Sequence, residues 1–209
     1  MIKLLVADDH AVVRKGIMQI IAETDDIVVA GEARNGREVI EKVRKDRYDL
    51  VLLDVSMPGK DGLEVLKELK SRWPKLTVLM LSMYPEEQYA IRALRSGAAG
   101  YLTKDHASDE LIAAIRKASS GGKYVSSSLA EKLISKLGND SDSPVHEQLS
   151  DREYRIMCMI ASGKTPTDIA KELVLSIKTV STYRTRMLKK MDMKSNAEIT
   201  RYVIENKLL

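Results

Sequence analysis

The first 120 residues alternate between two kinds of segment, and this alternation constrains the fold more than any other feature of the chain. Short β-branched or apolar runs occupy 2–7, 27–33, 50–54, 76–81 and 100–102. Segments with helical apolar spacing follow them at 12–22, 36–45, 63–72, 86–96 and 107–119. Five strand–helix units in succession imply a parallel sheet with helices on both faces. Runs such as "VLLD" and "TVLML" are apolar at consecutive positions, which suits strands buried on both sides.

Right-handed crossovers leave few topologies for such a sheet. The flavodoxin-like order 2-1-3-4-5 is the commonest with five strands, so the expected fold class is α/β, a parallel doubly wound sheet. After Ser119 the alternation stops. A turn at Gly121-Gly122 and a helix over 127–137 are expected, and then "GNDSDSPVHEQ", 138–148, is polar and contains Pro. That composition reads as a linker. The organisation expected is a domain over 1–120, a linker over 121–148 and a small all-α domain over 149–209. Helices are predicted there at 151–162, 166–173, 177–191 and 197–206. Ser150 with Glu153 forms a capping-box signature, Ser176 is a good N-cap, and Pro166 fits a first helical turn capped by Thr165.

Charge separates the same two regions. Residues 149–209 carry 12 Lys and Arg against 7 Asp and Glu, whereas the preceding 148 residues carry 22 against 23. A basic end on a near-neutral body points to a polyanion partner for that end. No segment approaches the roughly 20 apolar residues of a membrane span. The start "MIKLLVADDH" reaches two acids after a short apolar run and is not a signal peptide. The single cysteine, Cys158, sits in the helical pattern "YRIMCMIA" as a small core residue, and a reducing cytoplasm suits it.

In a parallel sheet, ligand chemistry gathers at the carboxyl ends of the strands. Asp8 and Asp9 follow the first strand, and Asp54 ends the third, its spatial neighbour in the 2-1-3 order. Three carboxylates that close raise each other's pKa unless a cation joins them. Hard oxygen ligands on a wet rim favour Mg2+ that keeps several waters. Ser82 follows the fourth strand and Lys104 the fifth, so a hydroxyl and an ammonium face the same rim. Such groups bind the remaining oxygens of a phosphoryl group, with Asp54 as the nucleophile that becomes an aspartyl-phosphate. Singly, each has an ordinary reading: a cap for Asp9, a turn for Asp8, a loop hydroxyl for Ser82 and a surface charge for Lys104. Their order, DD, D, S and K at four strand ends, is that of one phosphoryl site.

These motifs, "VADDH", "LLDVSMPGKDGLEVL", "LSMY" and "GAAGYLTKD", resemble the receiver domain of bacterial two-component response regulators, and the resemblance spans essentially the whole chain. It implies that Asp54 is the phosphoacceptor for a sensor histidine kinase. It also implies that Asp9 and Asp54 bind Mg2+ directly, Asp8 through water, and Ser56 through its backbone carbonyl. Ser82 and Tyr101 are then the switch residues, and Lys104 is the salt-bridge partner of the phosphoryl group. Many receivers have Pro after this lysine; here Asp105 follows, which leaves the isomer of that peptide open.

"TPTDIAKELVLSIKTVSTYRTRMLKKM" contains a helix, a short turn near 174–176 and a second helix, the layout of a helix-turn-helix. Val180, Met187 and Met191 can face the core. Lys178, Thr179, Ser181, Thr182, Tyr183, Arg184, Arg186, Lys189 and Lys190 occupy the other faces and suit base edges and phosphates of double-stranded DNA. "LSDRE", "MIASGKTPTDIAKELVLSIKTV" and "KKMDM" resemble the LuxR-type domain of the NarL/FixJ subfamily. The last helix, with Ile199, Val203 and Leu208 on one side, resembles that subfamily's dimerisation helix, which implies a homodimer on inverted half-sites. Two rivals remain: a receiver that acts by protein contacts without phosphate, and an aspartyl-phosphate phosphatase of haloacid-dehalogenase type. The latter carries Asp-x-Asp at its nucleophile, where this chain has Ser56.

Overall fold

A computed structural model describes residues 1–127, 129–131 and 144–208, apart from the side chains of Glu87 and Ser108. The chain forms two compact units, Met1–Ala130 and Glu131–Leu209.

In the first unit five strands, β1 (Ile2–Ala7), β2 (Ile27–Ala33), β3 (Leu50–Asp54), β4 (Thr77–Ser82) and β5 (Gly100–Thr103), alternate with five helices. These are α1 (Ala11–Ala22), α2 (Gly36–Lys45), α3 (Gly62–Arg72), α4 (Glu86–Arg95) and α5 (Ala107–Ser119). The sheet is parallel in the expected order β2-β1-β3-β4-β5. β4 begins one residue later than its apolar run and takes in Ser82, which pairs with Thr103 on a longer β5. Apolar runs mark burial, whereas ladder hydrogen bonds fix a strand's end.

Every residue of β3 is buried. Leu50 and Leu52 join Leu4, Val6, Leu79 and Leu81 in one cluster with Ile17 and Ile21 of α1 and Leu111 and Ile115 of α5. The intervening Leu5, Val51, Leu53 and Met80 are equally buried and point to the other face by the two-residue strand period. Each such side chain contributes about 1.5–3 kcal/mol of burial, so β3 is a stiff element on which to end with a carboxylate.

The loop from Val55 to Asp61 folds straight back onto the end of β3. Gly62 N–H donates to Val55 O at 2.9 Å, and Asp61 with Glu64 forms a capping box that starts α3. A Cβ on Gly62 would lie 2.1 Å from Asp54 O, so only glycine permits this approach. Gly59 turns the loop at φ 77°.

Beyond α5 the chain stays with the first unit. Tyr124 N–H donates to Ala99 O at 2.8 Å, and Tyr124 bridges Gly100 at the edge of β5. Tyr124 Oη donates to Glu110 at 2.7 Å, and the Ser126 hydroxyl donates to Glu86. Of the helix expected over 127–137, Ser127 and residues 129–131 are helical, and the remainder lies outside the described residues.

The second unit has a 3-10 turn at Val145–Gln148 and helices α6 (Asp151–Ala161), α7 (Pro166–Glu172), α8 (Ile177–Met191) and α9 (Asn196–Glu205). The capping box at Ser150/Glu153 and the caps at Thr165 and Ser176 form as the sequence predicts, and Asp168 completes a second box with Thr165. Arg152 donates to Leu173 O at 3.1 Å, which satisfies a carbonyl at the end of α7. Cys158 is buried, as a core residue should be. Among the described residues there is no cis peptide bond, so Lys104–Asp105 is trans, and no helix is long and apolar enough to cross a membrane.

Candidate functional site

β1 and β3 pair in register from Leu4↔Leu50 to Ala7↔Leu53, so Asp8 and Asp54 emerge side by side at the same rim. β4 delivers Ser82 and β5 delivers Lys104, which opens a 3-10 turn at Lys104–His106. Asp8, Asp54 and Ser82 are fully buried, whereas Asp9 and His10 are exposed. Lys104 Nζ stands 2.6 Å from Asp8 Oδ2 and 2.9 Å from Asp54 Oδ2. On the other side, Asp54 Oδ1 accepts the Ser56 N–H at 3.2 Å, and Asp8 Oδ1 accepts the His10 N–H at 2.8 Å. His10 Nδ1 lies 2.9 Å from Asp9 Oδ1 and 3.3 Å from Asp8 Oδ1. Asp8, Asp9, His10 and Asp54 each present a ligand atom, all within 4.8 Å of one another.

Burial pushes the Asp54 carboxyl up to about 6; the Lys104 ammonium opposes this and the Asp8 carboxylate reinforces it. Burial also works against the charged form of Lys104, but Asp54 and Asp8 outweigh it and raise the ammonium above its usual range. One ammonium thus pairs with two of three carboxylates, a charge balance and a mainly oxygen donor set that fit a divalent cation.

Tyr101 is fully buried and donates its hydroxyl to Tyr84 O at 3.0 Å. Burial raises its pKa, and Ser82 is a hydrogen-bonding neighbour that opposes the rise. The Ser82 hydroxyl accepts the Tyr84 N–H at 3.0 Å. Ser82, Tyr84 and Tyr101 are therefore tied together at the ends of β4 and β5.

Sequence reasoning passed over two neighbours of this site. Arg14 is buried in α1, donating to Asp8 O at 2.9 Å and to Glu32 at 3.1 Å. A cation on a helix face gives no sign of such an inward reach. His10 was legible only as the residue after two acids.

On α8, Val180, Met187 and Met191 are buried as expected. Lys178, Ser181, Thr182, Arg186 and Lys189 are exposed, and Thr185, overlooked in the sequence, is exposed on the same stripe at helical spacing. Thr179 is spent on the helix cap, and Tyr183 is half-buried. Arg184 donates to Asn196 at 2.6 Å and Lys190 to Glu153 at 2.6 Å, so these two hold helices together.

The apolar side of the last helix is spent within its own unit. Ile199, Val203 and Leu208 are buried, Ile199 and Val203 at 0% exposure, and Leu208 follows the end of α9. Ile204, at 62% exposure, is the large apolar residue that α9 shows to solvent. A helical apolar stripe in a small unit serves its own core first.

A doubly wound parallel sheet with an acidic rim and a facing lysine, in one chain with a helix-turn-helix unit, defines a response regulator. The chain belongs to that family: residues 4–116 match the family described as "Response regulator receiver domain", and residues 147–203 match "Bacterial regulatory proteins, luxR family". It is 36% identical over 215 residues to the oxygen regulatory protein NreC of Staphylococcus epidermidis, covering 99% of each chain. It is 36% identical over 209 residues to the response regulator UvrY of Escherichia coli, covering 100% of this chain and 96% of that one. The response regulator GacA of Pseudomonas protegens is 38% identical over 200 residues, 96% of this chain and 94% of the other. Among solved structures, RcsB from Salmonella enterica serovar Typhimurium, bound to the promoter rprA in the presence of phosphomimetic BeF3-, matches with a TM-score of 0.67 at 25% identity. That match covers 97% of this chain and 98% of RcsB.

Proposed function

We propose that this response regulator receives a phosphoryl group on Asp54 from a sensor histidine kinase and acts through its helical domain on double-stranded DNA. The observation that carries the first half is the double ion pair of Lys104 with Asp8 and Asp54, which gathers three strand ends into one charged cluster. Asp9 and Asp54 would hold Mg2+ through their carboxylates, Asp8 through water and Ser56 through its backbone carbonyl. The ion, when bound, neutralises charge between the acceptor carboxylate and the incoming phosphate.

In the transfer, an Asp54 carboxylate oxygen forms a bond to phosphorus as the P–N bond of the donor phosphohistidine breaks, and the imidazole takes up a proton. Lys104 turns from Asp54 to the new phosphoryl oxygens, and the Ser82 hydroxyl donates to another. The same hydroxyl accepts the Tyr84 N–H, so a movement of Ser82 toward the phosphoryl group is passed to Tyr84 and to the Tyr101 hydroxyl bound beside it. This is a population shift between two arrangements, so the unphosphorylated protein keeps weak DNA binding.

The receiver of residues 1–120 and the DNA-binding domain of residues 149–209 are joined by the linker 121–148. α8 is the recognition helix, with Lys178, Ser181, Thr182, Thr185, Arg186 and Lys189 outward. RcsB is described as two dimers bound to two parallel DNAs, and this chain likewise pairs as a homodimer on phosphorylation or on DNA. A dimer through α9 uses the face that carries Ile204, because the opposite face is spent on the core. Labelling with acetyl phosphate and Mg2+ tests the assignment: Asp54→Asn abolishes the label, and continued labelling of that variant overturns it.

A further inference from the structure

His10 has no role in the fold that its neighbours require. It stands at the N-cap of α1, yet its side chain makes no cap hydrogen bond. The ring is 62% exposed and leans over the acidic rim, with Nδ1 at 2.9 Å from Asp9 Oδ1 and 3.3 Å from Asp8 Oδ1. The rim also has a polarity. The Oδ2 atoms of Asp8 and Asp54 turn toward Lys104, whereas the Oδ1 atoms of Asp8 and Asp9 turn toward the imidazole.

The distance from His10 Nδ1 to Asp9 Oδ1 matches neighbouring ligands of one ion. Two atoms each about 2.1 Å from a cation and at right angles to one another are about 3 Å apart. An imidazole with its proton on Nε2 presents a lone pair at Nδ1. We infer that His10 Nδ1 is a ligand of the divalent ion held by the acidic rim, and that it widens the site's preference from Mg2+ to ions that take nitrogen. This rests on the reading of Asp9 and Asp54 as the ion's carboxylate ligands. An all-oxygen rim favours hard cations that keep their waters, whereas imidazole suits first-row transition metals such as Co2+ and Zn2+. One nitrogen added to two or three carboxylates gives a mixed set that such ions bind well and Mg2+ ignores. The receiver then loads with Mg2+ or with such an ion, and His10 sets their relative affinities.

The test uses the full untagged chain, metal-free, at pH 8. Electron spin-echo spectroscopy of bound Mn2+ reports a directly coordinated 14N, and calorimetric titration gives the affinities for Mg2+ and Co2+. The wild-type protein shows 14N modulation from one nitrogen, and His10→Gln loses it. In His10→Gln the Co2+ affinity falls about tenfold or more while that for Mg2+ changes less than about twofold, on the scale by which residues that support metal sites alter affinity. Since the His10 side chain is exposed and makes no cap hydrogen bond, the variant folds, and an unchanged thermal midpoint verifies it. Modulation that persists in His10→Gln, or bound Mn2+ without modulation in the wild type, overturns the inference and leaves the carboxylate reading standing. Failure of Mn2+ to bind at all, or binding undiminished in Asp54→Asn, overturns the carboxylate reading itself.

Discussion

Lys104 Nζ lies 2.9 Å from Asp54 Oδ2 across 50 residues of chain, and the same ammonium also holds Asp8. A single cation therefore keeps two buried carboxylates compatible. Lys104→Met leaves them facing each other without a counter-charge, and breaking such a buried pair costs about 3–5 kcal/mol. The loss is larger at pH 8 than at pH 5, where Asp54 takes up a proton instead. Urea unfolding of the metal-free variant at the two pH values measures it; equal losses at both would separate Lys104 from the carboxylates.

Asp54 itself carries an unfavourable charge. Its pKa is raised from 3.8 to about 6 by burial, so between those values the folded state binds more protons than the unfolded one. Stability attached to this group is fully present below about pH 4 and is lost as pH rises through about 6, a change of up to about 3 kcal/mol. Asp54→Asn, which cannot ionise, consequently raises the thermal midpoint of the metal-free protein at pH 7 by several degrees. A lower midpoint for Asp54→Asn contradicts this sign.

Two glycines separate steric need from tolerance. Gly62→Ala sets a Cβ 2.1 Å from Asp54 O and displaces the start of α3 from the acceptor strand, costing on the order of 1–3 kcal/mol. Labelling of Asp54 falls with it. Gly16 lies inside α1, and a methyl group there would meet nothing within 4 Å, so Gly16→Ala stabilises by about 0.5–1 kcal/mol. Denaturant midpoints of the two variants, moving in opposite directions, are the check.

On α8 the lysines divide by partner. Lys178 and Lys189 are exposed on the outward stripe, whereas Lys190 is bound to Glu153. Alanine at 178 or 189 weakens binding to any duplex and lowers the salt slope by about 1 each. Alanine at 190 lowers the stability of the helical domain instead. Burial opposes the Glu153 charge, but Lys190 and Ser150 outweigh it and hold the carboxyl below its usual range. The contribution of this pair is thus present at neutral pH and is lost as pH falls through that depressed value. Fluorescence anisotropy at several salt concentrations and thermal unfolding distinguish the two classes.

The sheet order and the four strand ends that carry Asp8, Asp9, Asp54, Ser82 and Lys104 were legible because burial and period leave a mark on every residue of a strand. The inward reach of Arg14 and the lean of His10 were not, since a long or aromatic side chain can turn either way from one backbone position. The last helix was ambiguous for a related reason. Its apolar stripe signals that something covers Ile199 and Val203, but not whether the cover is a second molecule or the chain's own α6. Likewise, Arg184 and Lys190 read as free cations until their partners at 196 and 153 come close in space.

The Tyr124 bridge to Gly100 gives the chain leaving the first unit a fixed starting point. The next residue of β5 is Tyr101, and the departing segment is fastened by Tyr124 to Glu110 on α5 and by Ser126 to Glu86 on α4. It works as a caliper laid across two helices. Any widening of the gap between α4 and α5 must open one jaw.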